Sequence, residues 1–131
     1  MQDVVQLAGN QEEVVMFLTT PGSTVALHNG GTNTRLNVHI GLLNLGGSFI
    51  EVAGERREWS ETKSFVFDDG YDHKVVTPPD DTGERGPRVV LAVGISHPDI
   101  TAAVNDTQLQ EMVEFERSNW HAGATNERVE L

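Results

Sequence analysis

The chain has 131 residues, enough for one hydrophobic core, and 20 acidic against 9 basic residues give a formal net charge of −11. This charge disfavours nucleic acid and anionic membranes as partners, since both bind basic surfaces. Because cysteine is absent, disulfides, thiolate metal sites and thiol nucleophiles are excluded, and any metal must be held by histidine and carboxylate. No apolar run is long enough to span a membrane and no signal peptide is evident, so a cytoplasmic protein is expected.

In chain order, β-rich runs separated by Gly, Pro, Asn and Asp turns predict eight short strands. They lie at residues 14–20, 24–28, 35–42, 48–53, 56–59, 64–68, 71–77 and 88–95. Residues 78–87 are predicted to form an exposed loop. A change to helical spacing predicts a C-terminal helix over about 105–117, with Asn105 or Asp106 as N-cap and a loose tail from Ser118 onward. These elements indicate one mainly β domain over 1–131, an antiparallel sandwich or barrel.

The third predicted strand alternates most regularly. Arg35, Asn37, His39 and Gly41 point to one face, and an apolar row points to the other. Two interpretations stay open. In the first, the polar row lines a metal or anion pocket. In the second, the strand lies at a sheet edge and its polar face is solvated. The alternation alone favours the second.

Two histidines and one arginine are candidates for a metal site and a carboxylate-binding site. His28 and His73 each lie next to a turn, and several aspartates near His73 could orient its ring. Histidine with carboxylate is the composition of a non-haem iron site. Arg88 follows the exposed loop and could bind a carboxylate, or simply pair with Glu84. His97 and His121 are interpreted as structural or surface residues.

Four blocks then resemble one known family, in the right order. They are HNGGTNTRLNVHIGL, GERREW, FVFDDGYDH and RVVLAVGISHP, and they span residues 28–98. They are similar to H-x-G-x-T-N-x-R-L-x-x-H-L-G-L, G-E-x-x-x-W, F-D-D-S-x-x-H and R-V-V-L-x-V-D-x-W-H-P of the aspartyl/asparaginyl β-hydroxylases. That family comprises iron(II)- and 2-oxoglutarate-dependent oxygenases.

The resemblance implies a double-stranded β-helix, a cupin-like or jelly-roll barrel, with a C-terminal helix. It also implies a dioxygenase that uses Fe(II), 2-oxoglutarate and O2 to hydroxylate an unactivated carbon, most simply of an aspartyl or asparaginyl side chain or a related small substrate. His28 and His73 would bind the metal, with Gly30 where many related oxygenases carry a third ligand. Arg88 would bind the distal carboxylate of 2-oxoglutarate, and His39 would lie at its metal-chelating end.

Further roles and two departures follow from the same comparison. Asn37 falls at a cosubstrate position where the family usually has arginine, and Glu51 also stands where arginine is common. Asp69 and Arg35 are candidate contacts to the substrate. No catalytic residue is expected beyond the metal site.

Other interpretations stay open. The chain could be a catalytically silent cupin-like binding or interaction module. It could also be a metal-holding cupin of another type, which would need a third or fourth protein ligand near His28 and His73, from His39 or Asp69. The stretch before the first strand is short for the family, so the chain could be a fragment, and an exposed barrel edge would favour a homo-oligomer.

Overall fold

Eight strands and two helices make up the part of the chain that the structure describes. It is a computed structural model that describes residues 11–122, and it describes the side chains of 14–115. The elements are β1 (Gln11–Thr19), β2 (Thr24–His28), β3 (Arg35–Leu43), β4 (Phe49–Val52), β5 (Glu55–Glu58), β6 (Ser64–Phe67), β7 (His73–Val76), β8 (Arg88–Ser96), α1 (Pro98–Ala103) and α2 (Asp106–Ala122). All eight predicted strands are present at the expected places.

The strands form two antiparallel sheets of four strands each. Sheet A has the order β1-β8-β3-β6, and sheet B has the order β2-β7-β4-β5. Ile50 and Val75 from sheet B pack in one core with Val90 from sheet A. The inner faces of both sheets therefore enclose a common interior, called the lumen below.

Strand β3 lies between β8 and β6, so the edge-strand interpretation of its polar row is wrong. Arg35, Asn37 and His39 are only 3%, 6% and 7% exposed. The apolar row of β3 faces outward, where Val38 pairs with Val93 of β8 in the register of the sheet. Hydrogen bonding on both sides fixes β3 within sheet A. Because its polar row is buried, that row faces the lumen.

The β4–β5 hairpin closes through a two-residue turn. Val52 pairs with Glu55, and the intervening Ala53 and Gly54 have φ of 49° and 82°. Positive φ at both central residues is the signature of a type I′ turn. The hairpin supplies the edge of sheet B and leads directly into Trp59.

Helix α1 was not predicted from the sequence. His97 is its N-cap, with Nδ1 accepting a hydrogen bond from the backbone N–H of Asp99 at 3.2 Å, and Pro98 opens the first turn. Histidine is an uncommon cap, so the signal at this position was the proline alone.

Helix α2 begins after a reciprocal capping pair. Asn105 Oδ1 accepts from the Gln108 backbone, and Gln108 Oε1 accepts from the Asn105 backbone. The helix continues to Ala122, so the expectation of a loose tail is wrong for 118–122. The remainder of that tail and the side chain of His121 lie outside the described residues. Within residues 11–122, no helix is both long and apolar enough to cross a membrane.

Candidate functional site

Two histidines meet where strands of sheet B end. His28 closes β2 and His73 opens β7, and the antiparallel register places them opposite one another. Their ring centroids are 4.3 Å apart. Residues 45 positions apart in the sequence are thus brought into contact by strand pairing.

Both imidazoles have the same orientation relative to their own backbone. His28 Nδ1 donates to the carbonyl of Ala26 at 2.7 Å, and His73 Nδ1 donates to the carbonyl of Tyr71 at 2.8 Å. Because a carbonyl can only accept, each ring carries a proton on Nδ1, and a neutral ring in this tautomer has its lone pair on Nε2. Burial lowers the pKa of His73, and the neighbouring His28 acts in the same direction. Both rings thus hold Nδ1 against a backbone carbonyl and direct Nε2 away from it, the arrangement that metal-binding histidines adopt.

Asp69 fills the space beside Gly30. The Gly30 N–H donates to the backbone carbonyl of Asp69 at 2.7 Å. A Cβ atom at position 30 would lie 2.6 Å from Asp69 Oδ2, closer than real contacts allow. Glycine is required here because a buried carboxylate occupies the place of its side chain.

The Asp69 carboxylate is held by three N–H groups from β3. Oδ2 accepts from Arg35 Nε and from Asn37 Nδ2, each at 2.9 Å, and Arg35 Nη2 lies 2.9 Å from the same oxygen in an ion pair. Burial raises the pKa of Asp69, and the guanidinium of Arg35 opposes that shift. The structure thus joins three sequence-predicted site residues in one network.

His39 lies among aromatic rings in the lumen. Its ring centroid is 6.0 Å from that of Trp59, in a stacked arrangement, and 4.9 Å from that of Phe67, edge to face. Burial, and then the charges of Arg88 and His73, lower the pKa of His39 to about 3. His39 is therefore neutral at physiological pH, and its Nδ1 has no hydrogen-bond partner among the described residues.

Arg88 is a buried cation, 3% exposed. Its guanidinium lies 4.4 Å from the Trp59 ring centroid, and Nη2 donates to Thr19 Oγ1 at 2.8 Å. Nε and Nη1 have no partner in the described part of the chain, and no ion pair there joins Arg88 to Glu84. Burial lowers the pKa of Arg88 to about 10. Burying an uncompensated charge is costly, so this geometry favours an anionic ligand at the two open nitrogens.

A continuous series of ring contacts joins the two histidines to Arg88. The His73 ring contacts Phe67 at 5.2 Å between centroids, Phe67 contacts His39, and His39 stacks on Trp59 beneath Arg88. The exposed His28 and the buried His73 and Arg88 are therefore linked through contacting side chains.

The residues present fit a metal ion with several open coordination positions. His28 and His73 supply two Nε2 atoms that lie outside their backbone hydrogen bonds. No group of three or more His, Cys, Asp or Glu that could hold a metal occurs in the described ranges. A cupin site with three or four protein ligands, which needed His39 or Asp69, consequently lacks its extra ligand here.

Glu51 does not face this site. It lies on β4 next to the buried Ile50, so its side chain points outward, where it forms an ion pair with Lys74 at 3.2 Å. Thr19 and Trp59 contact Arg88, although neither was predicted as a site residue. The only signal for Thr19 would have been the pairing of β1 with β8, which places it opposite Arg88.

Solved structures define the class of fold. A protein described as a predicted oxalate decarboxylase from Thermotoga maritima matches with a TM-score of 0.52 at 18% identity, over 74% of this chain and 75% of that one. A cupin protein from Bacteroides fragilis matches with a TM-score of 0.51 at 16% identity, over 65% of each chain. The predicted cupin-like, double-stranded β-helix is confirmed.

The sequence comparisons define the family. The family model described as aspartyl/asparaginyl β-hydroxylase matches residues 2–98. Mouse aspartate β-hydroxylase domain-containing protein 2 is 37% identical over 84 residues, which are 64% of this chain and 24% of that protein. Mouse aspartyl/asparaginyl β-hydroxylase is 37% identical over 82 residues, 62% of this chain and 10% of that protein. This chain belongs to the aspartyl/asparaginyl β-hydroxylase family, and it spans a quarter or less of these relatives' length.

Proposed function

We propose that this chain is an iron(II)- and 2-oxoglutarate-dependent oxygenase that hydroxylates an unactivated carbon of an aspartyl- or asparaginyl-type side chain or a related small substrate. The observation that carries the proposal is the His28–His73 pair, with both Nδ1 protons fixed by backbone carbonyls and both Nε2 lone pairs available. Family membership adds to it, since the family name is that of a hydroxylase.

In this function, four side chains would act at the two ends of 2-oxoglutarate. His28 and His73 hold Fe(II) through Nε2, and Arg88 binds the distal carboxylate of 2-oxoglutarate through Nε and Nη1. His39, neutral and unpaired at Nδ1, offers a hydrogen bond near the chelating end. When bound, iron with 2-oxoglutarate and O2 supplies the oxidising power for hydroxylation of a C–H bond.

Aromatic side chains also line the lumen around His39. Trp59 is 5% exposed, and the inward rings of Phe65 and Phe67 contact His39 or one another. A dry, low-dielectric interior strengthens the attraction between Arg88 and a carboxylate and limits side reactions with solvent.

Two assays test the proposal together. Anaerobic equilibrium dialysis should find one iron(II) per chain, lost in both His28→Ala and His73→Ala. With O2 admitted, the protein should convert 2-oxoglutarate to succinate, and Arg88→Ala should retain iron but lose most of this conversion. A protein that binds no iron would contradict the ligand assignment.

A catalytically silent binding module is the second candidate, and one observation favours it. The Asn37 amide donates to Asp69, so this position provides no second cation for a dianionic cosubstrate. Iron bound without any formation of succinate would support this candidate over the oxygenase.

A further inference from the structure

The buried atoms without partners differ between the two ends of the lumen. Among the described residues, those at the Arg88 end include three N–H donors, namely Arg88 Nε and Nη1 with Trp59 Nε1. At the end that holds His28 and His73, called the metal end below, they include two acceptors, Asn37 Oδ1 and Asp69 Oδ1. The two ends are therefore suited to groups of opposite hydrogen-bonding character.

The orientation of the Asn37 amide is determined by its partner. Asp69 Oδ2 can only accept, so the Asn37 atom at 2.9 Å must be the nitrogen, and the carbonyl oxygen is the atom left open. Asn37 is 6% exposed and Asp69 is 2% exposed, so neither oxygen is hydrated as a surface group would be. A ligand that satisfies them must bring N–H or O–H donors.

The charges at the metal end disfavour an acidic ligand. Arg35 gives Nε and Nη2 to Asp69, so its charge is already balanced. Asp68 and Asp72 precede His73 in the sequence, where the charge of Asp68 acts on Asp69 and that of Asp72 acts on His73. Asp72 also accepts a hydrogen bond from Asn29 beside His28. A substrate carboxylate that lies against these aspartates rather than on the metal would meet like charge.

We propose that the substrate group bound at the metal end is a neutral donor-bearing group such as a primary amide, and not a carboxylate. The inference rests on the proposed function, because it concerns the substrate side of the same site. Asn37 is thereby a specificity-determining residue, with its carbonyl oxygen accepting from the substrate while its amide nitrogen holds Asp69.

The test compares two probes that differ only in this group. Protein loaded with Mn(II) and 2-oxoglutarate is titrated with N-acetyl-L-asparagine amide or N-acetyl-L-aspartate amide, and binding is read from paramagnetic broadening of the probe's proton NMR signals. The asparagine probe should bind about tenfold more tightly, the effect of one unsatisfied buried hydrogen-bonding group. Asn37→Arg should reverse the preference for the asparagine probe, because the arginine adds donors. Asn37→Leu should abolish that preference, and it tests the proposal if the Asn37→Arg variant does not fold.

Thr107→Arg is the matched control, since it adds the same charge at an exposed position of α2 and should leave the preference unchanged. Equal binding of the probes, a preference for aspartate, or no broadening by either would overturn the inference while leaving the proposed function intact. Failure to bind Mn(II) or 2-oxoglutarate in the first place would overturn both.

Discussion

Gly30 shows how one buried carboxylate determines a residue elsewhere in the chain. Resemblance to the family placed Gly30 where a third metal ligand often occurs, but it could not say what takes the space. Asp69 does so, and it cannot retreat because Arg35 and Asn37 hold it. The identities of Gly30 and Asp69 can be seen in the sequence. Their contact could not be predicted from it, because it joins two separate segments of the chain.

Gly30→Ala should therefore destabilise the fold by about 1–3 kcal/mol, the usual cost of forcing an extra carbon into a packed site. Urea denaturation would measure the loss. The control is the Asp69→Ala variant, alone and combined with Gly30→Ala. Without the carboxylate, an alanine at position 30 has room, so the two losses of stability should not add in the double variant. A change of only a few tenths of a kcal/mol in the single variant would show that Asp69 can move aside.

Thr19 orients Arg88, and its hydroxyl takes one of the N–H groups that a carboxylate could use. Thr19→Val should weaken binding of 2-oxoglutarate to the metal-loaded protein about tenfold, because the guanidinium loses its fixed direction. Pyruvate, which lacks the distal carboxylate, should bind the variant and the wild type alike. Thr19→Ser should behave as the wild type, and unchanged 2-oxoglutarate affinity in the valine variant would refute this role.

At the scale of the element, alternation and turn residues predicted where the strands lie but not which face of β3 turns inward. A polar row is ordinarily solvated, and only the pairing of β3 with both β6 and β8 places Arg35, Asn37 and His39 in the lumen. That pairing depends on partners distant in the sequence. Helix α1 was missed because its cap is a histidine and its length is only six residues.

The β4–β5 hairpin offers a test of its turn. Ala53 has φ of 49°, a left-handed conformation that alanine adopts at a cost and asparagine tolerates. Ala53→Asn should stabilise the protein by about 0.5–1 kcal/mol, measured as a raised midpoint in urea. The exposed Ala102→Asn on α1 should not stabilise. No gain from Ala53→Asn would mean that the turn is not type I′.

At the scale of the molecule, a strongly acidic chain encloses a lumen whose histidines His39 and His73 are kept neutral by burial. The resemblance supplied His28, His73 and Arg88 as candidates in one site, and in the structure a series of ring contacts links them. The hydrogen-bonding asymmetry of its two ends could not be predicted, since it depends on which buried atoms remain unpaired after folding.

The free energy of unfolding should fall as the pH is lowered, because the buried His39 is held neutral in the folded chain. The unfolded chain protonates His39 below its ordinary pKa of 6.5, whereas the folded chain resists protonation until a pKa of about 3. Protons thus favour the unfolded state between these values, and His39 alone contributes a slope of up to about 1.4 kcal/mol per pH unit. His39→Gln should lower the measured slope by that amount, and an unaltered slope would show that His39 is not held neutral.

The most direct test of the central claim is to add iron(II) and 2-oxoglutarate to the protein without oxygen and record its visible spectrum. A 2-oxoglutarate chelate of iron at His28 and His73 gives a weak charge-transfer band. The account predicts this band in the wild type, its loss in His28→Ala, and a need for much more 2-oxoglutarate in Arg88→Ala. A protein that binds iron yet shows no band at saturating 2-oxoglutarate would contradict the claim that these residues form one site for metal and cosubstrate.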